Sequence, residues 1–131
     1  MIAIDTNVLV RFLVGDDPDQ TRIARELVSG LGDDRPGFIC REVVLELAWV
    51  LERTYGIRRR EIADALDGLI ASREIRVETA DDIASSVASW REGGPWLGDW
   101  MIAAAARRSG AQILVTFDRK AARVPGARLL G

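Results

Sequence analysis

Short apolar runs alternate with longer amphipathic stretches along the chain, and this alternation predicts an α/β fold. Continuous runs of apolar residues are typical of strands that are buried on both faces of a parallel sheet. Such runs predict strands at about residues 2–5, 38–40, 75–77, 112–116 and 128–130. Parallel strands need crossover connections, which the helical stretches between them provide. We therefore expect a three-layer α/β/α sandwich with a mostly parallel central sheet.

The helical segments are recognised by their start signals and their apolar spacing. Asp17 as N-cap, Pro18 at the first helical position and Gln20 three residues after the cap predict a helix start. Ile23 and Ala24 belong to the apolar face that we expect this helix to bury. Further helices are predicted at about residues 8–13, 42–54 and 60–72, after Asp81 or Asp82, and around 100–106. Because no repeat or linker interrupts the pattern, residues 1–131 predict a single domain.

Composition supports a globular domain. The chain has 131 residues, of which 48% are hydrophobic, enough for one core but too dispersed for a membrane span. Met1 leads straight into a strand-like run without a basic segment, so we expect no secretory signal. The single cysteine, Cys40, lies in an apolar run and is expected to be a small buried side chain. These features favour a cytoplasmic protein.

Two absences restrict the chemistry. The chain has no histidine, which excludes Ser-His triads and most zinc sites. It also lacks a glycine-rich phosphate-binding loop ending in Gly-Lys-Ser/Thr. Any hydrolysis must then rely on carboxylates, and we expect a metal to assist them. The net charge of −2 does not indicate a nucleic-acid binder, so local basic residues matter: Arg119 and Lys120 after the fourth strand, and Arg11 near the first, are candidates for phosphate contacts.

Four acidic residues stand where a carboxylate site would need them. Asp5 and Asp118 end predicted strands, Glu46 lies in an apolar helical stretch, and Asp99 stands at the start of an apolar helix. Ligands of doubly wound folds bind at the carboxyl ends of the strands. Four convergent carboxylates would repel one another unless a hard cation lay among them. Their joint placement predicts a magnesium or manganese site.

Each acid also has a structural alternative. Asp5, Asp99 and Asp118 would each serve to cap a helix. Glu46 is expected to be half-buried on the flank of its helix, where Arg41 or Arg53 would be an alternative partner to a metal.

Four segments resemble the motifs of the PIN-domain nucleases, in the family's order and covering essentially the whole chain. The opening IAIDTNVLV at residues 2–10 resembles the first motif. The segment ELAWVLE at 46–52, followed by Tyr55 and Gly56, resembles the second motif. The segments GDWMIAAAA at 98–106 and TFDRK at 116–120 resemble the third and fourth motifs. One departure is that the family's third motif often reads Ala-Asp-Ala, whereas Trp100 follows Asp99 here.

Within the family, the chain resembles the VapC-type toxins of toxin–antitoxin pairs. The resemblance implies a PIN-like α/β/α sandwich, a homodimer, a small antitoxin partner and an RNA substrate, with tRNA among the candidates. It implies a Mg²⁺- or Mn²⁺-dependent endoribonuclease that leaves 5′-phosphate and 3′-hydroxyl ends. By motif, the implied metal ligands and catalytic residues are Asp5, Glu46, Asp99 and Asp118, and the supporting polar residues are Thr6, Asn7 and Thr116.

The hypothesis is hydrolysis of an RNA phosphodiester by a metal-activated water. Two alternatives are open. A Mg²⁺-dependent phosphatase of the haloacid-dehalogenase type also begins with a strand-end aspartate, but it requires a second aspartate where Asn7 stands. A non-catalytic domain that binds RNA or protein is the other alternative.

Overall fold

The computed structural model describes the whole chain, Met1–Gly131. The chain forms two compact units, Met1–Ala80 (unit 1) and Asp81–Gly131 (unit 2). The helices of unit 1 are α1 Thr6–Val14, α2 Pro18–Ser29, α3 Arg41–Arg53 and α4 Arg59–Ala71. Its strands are β1 Ile2–Ala3, β2 Gly37–Ile39 and β3 Ile75–Val77.

The strands of unit 1 form a parallel sheet in the order β1-β2-β3. Helices α1 and α2 connect β1 to β2, and α3 and α4 connect β2 to β3, as parallel pairing requires. Within the unit, α1 packs against α2 and α3, and α3 packs against α4. Leu9, Leu47 and Ile62 are completely buried, and each contributes about 1.5–3 kcal/mol of transfer free energy.

The start of α2 follows the predicted capping signal. Asp17 is the N-cap, its side chain accepts a hydrogen bond from the backbone N–H of Gln20 at 3.0 Å, and Pro18 opens the helix. Ala24 is buried, as expected, but Ile23 is 56% exposed. The prediction that Ile23 faces the core is therefore wrong, because the buried face of α2 is narrower than its apolar spacing indicates.

Unit 2 contains nearly all of helix α5 Ala80–Arg91, helix α6 Leu97–Arg108, strands β4 Leu114–Thr116 and β5 Ala127–Leu129, and the 3₁₀ turn Ala121–Arg123. Strands β4 and β5 pair in parallel. Trp90 is fully buried, and its ring meets that of Trp96 edge to face at 5.4 Å between centroids. Because α5 begins at Ala80, Asp81 and Asp82 lie in its first turn rather than at the cap position.

The predicted α/β class is confirmed, since every strand pairs in parallel and helices connect the strands of unit 1. The structure differs from the expectation in one respect: the strands occupy a three-stranded and a two-stranded sheet. None of the helices has both the length and the apolar character that crossing a bilayer requires.

Gly37 provides a test of the packing beside the sheet. A Cβ atom at this buried position would lie 2.8 Å from Ile4 Cδ1 and 3.0 Å from Leu31 Cδ1. We expect Gly37→Ala to lower the free energy of unfolding by about 1–2 kcal/mol, at the lower end of overpacking effects because both obstructing atoms are terminal methyl groups. Urea denaturation measures this change.

Two controls accompany Gly37→Ala. Gly68 lies inside α4, where an added Cβ would meet nothing within 4 Å, so Gly68→Ala should stabilise by about 0.5–1 kcal/mol. Ile4→Val removes the Cδ1 atom and should restore part of the loss in the double variant. Equal effects of both glycine changes would contradict the packing explanation.

Candidate metal centre

Asp5 lies where the chain leaves β1 and enters α1. It is the N-cap of α1, with extended backbone angles (φ −82°, ψ 161°), and its Oδ1 accepts a hydrogen bond from the backbone N–H of Thr6 at 2.7 Å. The residue is exposed, and its Oδ2 makes no hydrogen bond within the chain. The capping alternative is therefore realised, but it engages only one of the two carboxylate oxygens.

Thr6 presents an unsatisfied hydroxyl directly beside this cap. The residue is 5% exposed, and its buried Oγ1 has no hydrogen-bond partner. Buried polar groups nearly always have hydrogen-bond partners, and a buried group without one costs about 1–3 kcal/mol of stability. The water ligands of a hydrated divalent cation held by Asp5 would supply such a partner. The local donor set at the start of α1 thus fits a metal of this kind, and the supporting role of Thr6 stays a prediction.

Glu46 lies in the second turn of α3. The expectation of a half-buried carboxylate is wrong, because the structure places Glu46 on the exposed face of the helix. The alternative of an arginine partner is also absent: Glu46 has no ion pair, Arg53 lies over the ring of Trp49 at 5.8 Å, and Arg41 donates to Thr79 Oγ1 at 3.1 Å. Glu46 is therefore an accessible and unpaired carboxylate.

Asp99 occupies the first turn of α6, and its surroundings disfavour its charge. The residue is half-buried, and its Oδ2 accepts a hydrogen bond from the backbone N–H of Trp96 at 3.2 Å. Burial raises the pKa of Asp99 above its ordinary value, and the carboxylate of Asp118 raises it further. The hydrogen bond from Trp96 and the charge of Lys120 act in the opposite direction without cancelling the increase.

Asp118 follows β4 and opens the 3₁₀ turn. Its Oδ1 accepts hydrogen bonds from the backbone N–H groups of Lys120 at 2.8 Å and Ala121 at 3.2 Å. Thr116 Oγ1 accepts a hydrogen bond from the backbone N–H of Asp118 at 3.0 Å. The capping alternative for Asp118 is therefore realised as well. Thr116, predicted as a supporting residue, holds the loop that presents this carboxylate.

Of the four predicted acids, the structure shows an electrostatic pair within unit 2, Asp99 and Asp118. Asp5 and Glu46 belong to unit 1, where each is accessible. No group of three or more His, Cys, Asp or Glu side chains is placed so that it could hold a metal ion. The convergence of all four carboxylates stays a prediction. Near Asp118, the charge of Asp99 is disfavoured, and Lys120 offsets this only in part.

The three basic candidates differ in their surroundings. Arg119 and Lys120 are exposed directly after Asp118, and Lys120 is near enough to Asp99 to lower its pKa. This position suits a phosphate contact next to the carboxylate pair. The contact itself stays a prediction.

Arg11 is engaged within unit 1. Its Nε donates to Gln20 Oε1 at 2.7 Å, and its Nη1 donates to Asp16 Oδ1 at 2.9 Å and Tyr55 Oη at 3.2 Å. Tyr55 Oη in turn donates to Asp16 Oδ2 at 2.9 Å. The hydrogen bond that Tyr55 donates to Asp16 lowers the pKa of Asp16. The hydrogen bond that Arg11 donates to Tyr55 raises the pKa of Arg11. The structure gives Arg11 a role in joining α1, α2 and Tyr55 in the segment after α3, which sequence spacing did not indicate.

The raised pKa of Asp99 has a consequence for stability without metal. A carboxyl group whose pKa is higher in the folded than in the unfolded state stabilises the fold while it is protonated. This stabilisation is complete at a pH below the unfolded-state pKa, and it is lost as the pH rises through the folded-state pKa. At pH 7 ionised Asp99 therefore opposes folding. We expect Asp99→Asn, which keeps an acceptor for Trp96 N–H, to raise Tm by roughly 1–4 °C in EDTA at pH 7. The gain should vanish near pH 3.5.

The matched control is Asp81→Asn, which removes the same charge from the first turn of α5. It should leave Tm unchanged or slightly lower, because an acid at that position interacts favourably with the helix dipole. A loss of stability in Asp99→Asn at pH 7 that persists at pH 3.5 would show that capping, rather than burial of charge, dominates at Asp99.

Comparison with known proteins gives two matches. Residues 2–127 match the model of the PIN domain family. The chain is also similar to a VapC ribonuclease of Aquifex aeolicus (strain VF5), with 25% identity over 122 residues, which is 92% of this chain and 89% of the relative. Both matches span nearly the whole chain, as the four motifs do.

The family match confirms the predicted fold class, an α/β sandwich with parallel strands, and the resemblance drawn from the motifs. Asp5, Glu46, Asp99 and Asp118 all lie within the matched residues. The chain belongs to the PIN domain family.

Proposed function

We propose that this protein is a divalent-metal-dependent endoribonuclease that hydrolyses RNA phosphodiesters and acts as the toxin of a toxin–antitoxin pair. The observation that carries the proposal is the closeness of Asp99 to Asp118, where burial and the neighbouring carboxylate raise the pKa of Asp99. Membership of the PIN domain family and similarity to a VapC ribonuclease support the reaction class.

The residues proposed to hold the metal are Asp5, Glu46, Asp99 and Asp118. Carboxylate oxygens are the ligands that Mg²⁺ and Mn²⁺ prefer. When bound, such an ion lowers the pKa of a coordinated water and neutralises charge on the phosphate oxygens. Thr6 Oγ1, buried without a partner, would accept or donate a hydrogen bond to water at this position.

In this proposal, side chains of the protein orient the RNA and neutralise the negative charge of its phosphates. Three of the carboxylates are held by backbone N–H groups through one oxygen each, at Asp5, Asp99 and Asp118. Arg119 and Lys120 would bind the phosphates that flank the cleaved bond. Because the chain has no histidine, a carboxylate or the solvent must accept the proton released by the attacking water.

The proposed partners are a small antitoxin and a second copy of the chain. Unit 1 contains a cavity of about 480 Å³ whose lining includes Asn7, Arg11 and the exposed Ile23. A cavity lined by both apolar and polar side chains suits a peptide segment. We therefore propose this cavity as the binding site of the antitoxin.

The central prediction concerns RNA cleavage by the purified protein, free of antitoxin. With total RNA and a tRNA pool, we expect discrete fragments in Mg²⁺ or Mn²⁺ and none in EDTA. Asp5→Asn should lower the cleavage rate by more than about a hundredfold, beyond what groups outside the coordination sphere usually contribute. Because asparagine is as good an N-cap as aspartate, the loss would reflect the missing charge.

Asp17→Asn is the matched control, since Asp17 caps α2 through the same kind of hydrogen bond. It should cleave at the wild-type rate. Fragment ends carrying 5′-phosphate and 3′-hydroxyl groups would identify water as the nucleophile. Hydrolysis of p-nitrophenyl phosphate without RNA cleavage would instead indicate a phosphatase, and metal-dependent RNA binding without cleavage would indicate a binding domain.

A further inference from the structure

Unit 2 contains a cavity of about 430 Å³ that the proposed metal site does not use. Its lining comes from α5, α6 and the loop before β5, and consists of Ser85, Ser86, Ser89, Trp100, Arg107, Pro125 and Gly126. The volume lies within the range of about 300–1,000 Å³ in which proteins bind small organic ligands. The lining contains one basic residue and no acidic residue, so the cavity favours an anion.

The polar groups of this cavity lack partners within the chain. Ser86 is 4% exposed, and neither its hydroxyl nor those of Ser85 and Ser89 takes part in a hydrogen bond. Arg107 likewise has no ion pair, whereas its neighbour Arg108 donates to Asp82 at 2.8 Å. Arg107 and Ser85 are exposed and Ser89 is half-buried, so these groups are open to a ligand and offer hydrogen-bond donors suited to a phosphate group.

Trp100 supplies a flat apolar wall to the same cavity. Its indole Nε1 donates to the backbone carbonyl of Pro95 at 3.3 Å, which fixes the ring. Aromatic side chains that are held in this way stack on nucleobases, and each such contact is worth about 1–3 kcal/mol. A nucleotide carries a base and a phosphate joined by a sugar, so a cavity with an aromatic wall and an arginine suits a nucleotide.

Helix geometry connects this cavity to the proposed metal centre. Trp100 and Arg107 are seven residues apart on α6, so they lie on the same face, about 10.5 Å apart along the axis. Trp100 directly follows Asp99. Consecutive helical residues point about 100° apart, so a base against Trp100 would belong to a nucleotide beside the one whose phosphodiester Asp99 serves.

We propose that this cavity is an RNA subsite, in which one base stacks on Trp100 and a phosphate is bound by Arg107 and the hydroxyls of Ser86 and Ser89. The proposal rests on the proposed ribonuclease function. Trp100, which stands where the family's third motif often has alanine, would then stack on one particular base of the RNA.

The test uses the full chain in EDTA, so that ligand binding is measured apart from cleavage. Adenosine 5′-monophosphate, inorganic phosphate and adenosine are each titrated while the tryptophan indole N–H resonances are followed by NMR. We expect the nucleotide to bind at least about tenfold tighter than either fragment. The nucleotide should also shift the indole N–H resonance of Trp100, which is identified by its absence from the spectrum of Trp100→Leu.

The variants separate the two parts of the subsite. Arg107→Gln should weaken the nucleotide and inorganic phosphate about tenfold or more and leave adenosine unchanged, because only the phosphate contact is lost. Trp100→Leu should weaken the nucleotide and adenosine about fivefold or more and leave phosphate unchanged. Ser86→Ala should weaken phosphate about threefold to tenfold. Arg76→Gln, an exposed arginine on β3, is the charge control and should bind as wild type.

The outcomes distinguish this proposal from the proposed function. If RNA is cleaved and Arg107→Gln binds the nucleotide like wild type, with an unchanged KM for RNA, the subsite is refuted and the nuclease stands. If RNA is not cleaved but the pattern of fragment binding holds, the nucleotide site stands and the nuclease assignment falls. A raised KM with unchanged kcat in Arg107→Gln supports both. Unchanged melting of Arg107→Gln, which alters an exposed side chain, confirms that the variant is folded.

Discussion

The hydrogen bonds from backbone N–H groups to carboxylates at helix starts are the interaction on which the proposed chemistry depends. Asp5 accepts from Thr6, Asp99 from Trp96, and Asp118 from Lys120 and Ala121. Each of these carboxylates uses one oxygen for the backbone and keeps the other. Capping and ligand binding, which are alternatives when the sequence is read alone, are thus compatible within a single side chain.

This arrangement places electrostatic strain in a defined part of unit 2. Asp99 is tied to the start of α6 by the hydrogen bond from Trp96 N–H, and burial and the charge of Asp118 both raise its pKa. Lys120 relieves only part of that strain. Rigid carboxylates with uncompensated charge are what a cation site needs, because ligand groups that are ordered before binding lose little entropy on binding. The same fixed start of α6 determines where Trp100 lies.

The sequence predicted the features that short-range chemistry determines. The N-cap at Asp17, the parallel strand at residues 75–77, and Asp5 and Asp118 at strand ends all follow from local patterns. Features set by distant packing were missed. Apolar spacing locates the inward face of α2 and α3, but neighbouring elements determine how wide that face is, and so Ile23 and Glu46 are exposed. No sequence pattern singled out the serines of α5, and only the tertiary structure shows that Ser86 is buried and lines the same cavity as Arg107.

The proposal that Asp5, Glu46, Asp99 and Asp118 all bind one divalent cation is tested most directly by Mn²⁺ binding in the absence of RNA. Electron paramagnetic resonance would give the Mn²⁺ affinity of the wild type and of Asp5→Asn, Glu46→Gln, Asp99→Asn and Asp118→Asn, with Asp17→Asn as control. The account predicts that each of the four variants weakens Mn²⁺ binding by at least about tenfold, while the control binds as wild type. Wild-type affinity in Asp5→Asn and Glu46→Gln, with losses confined to Asp99→Asn and Asp118→Asn, would contradict it.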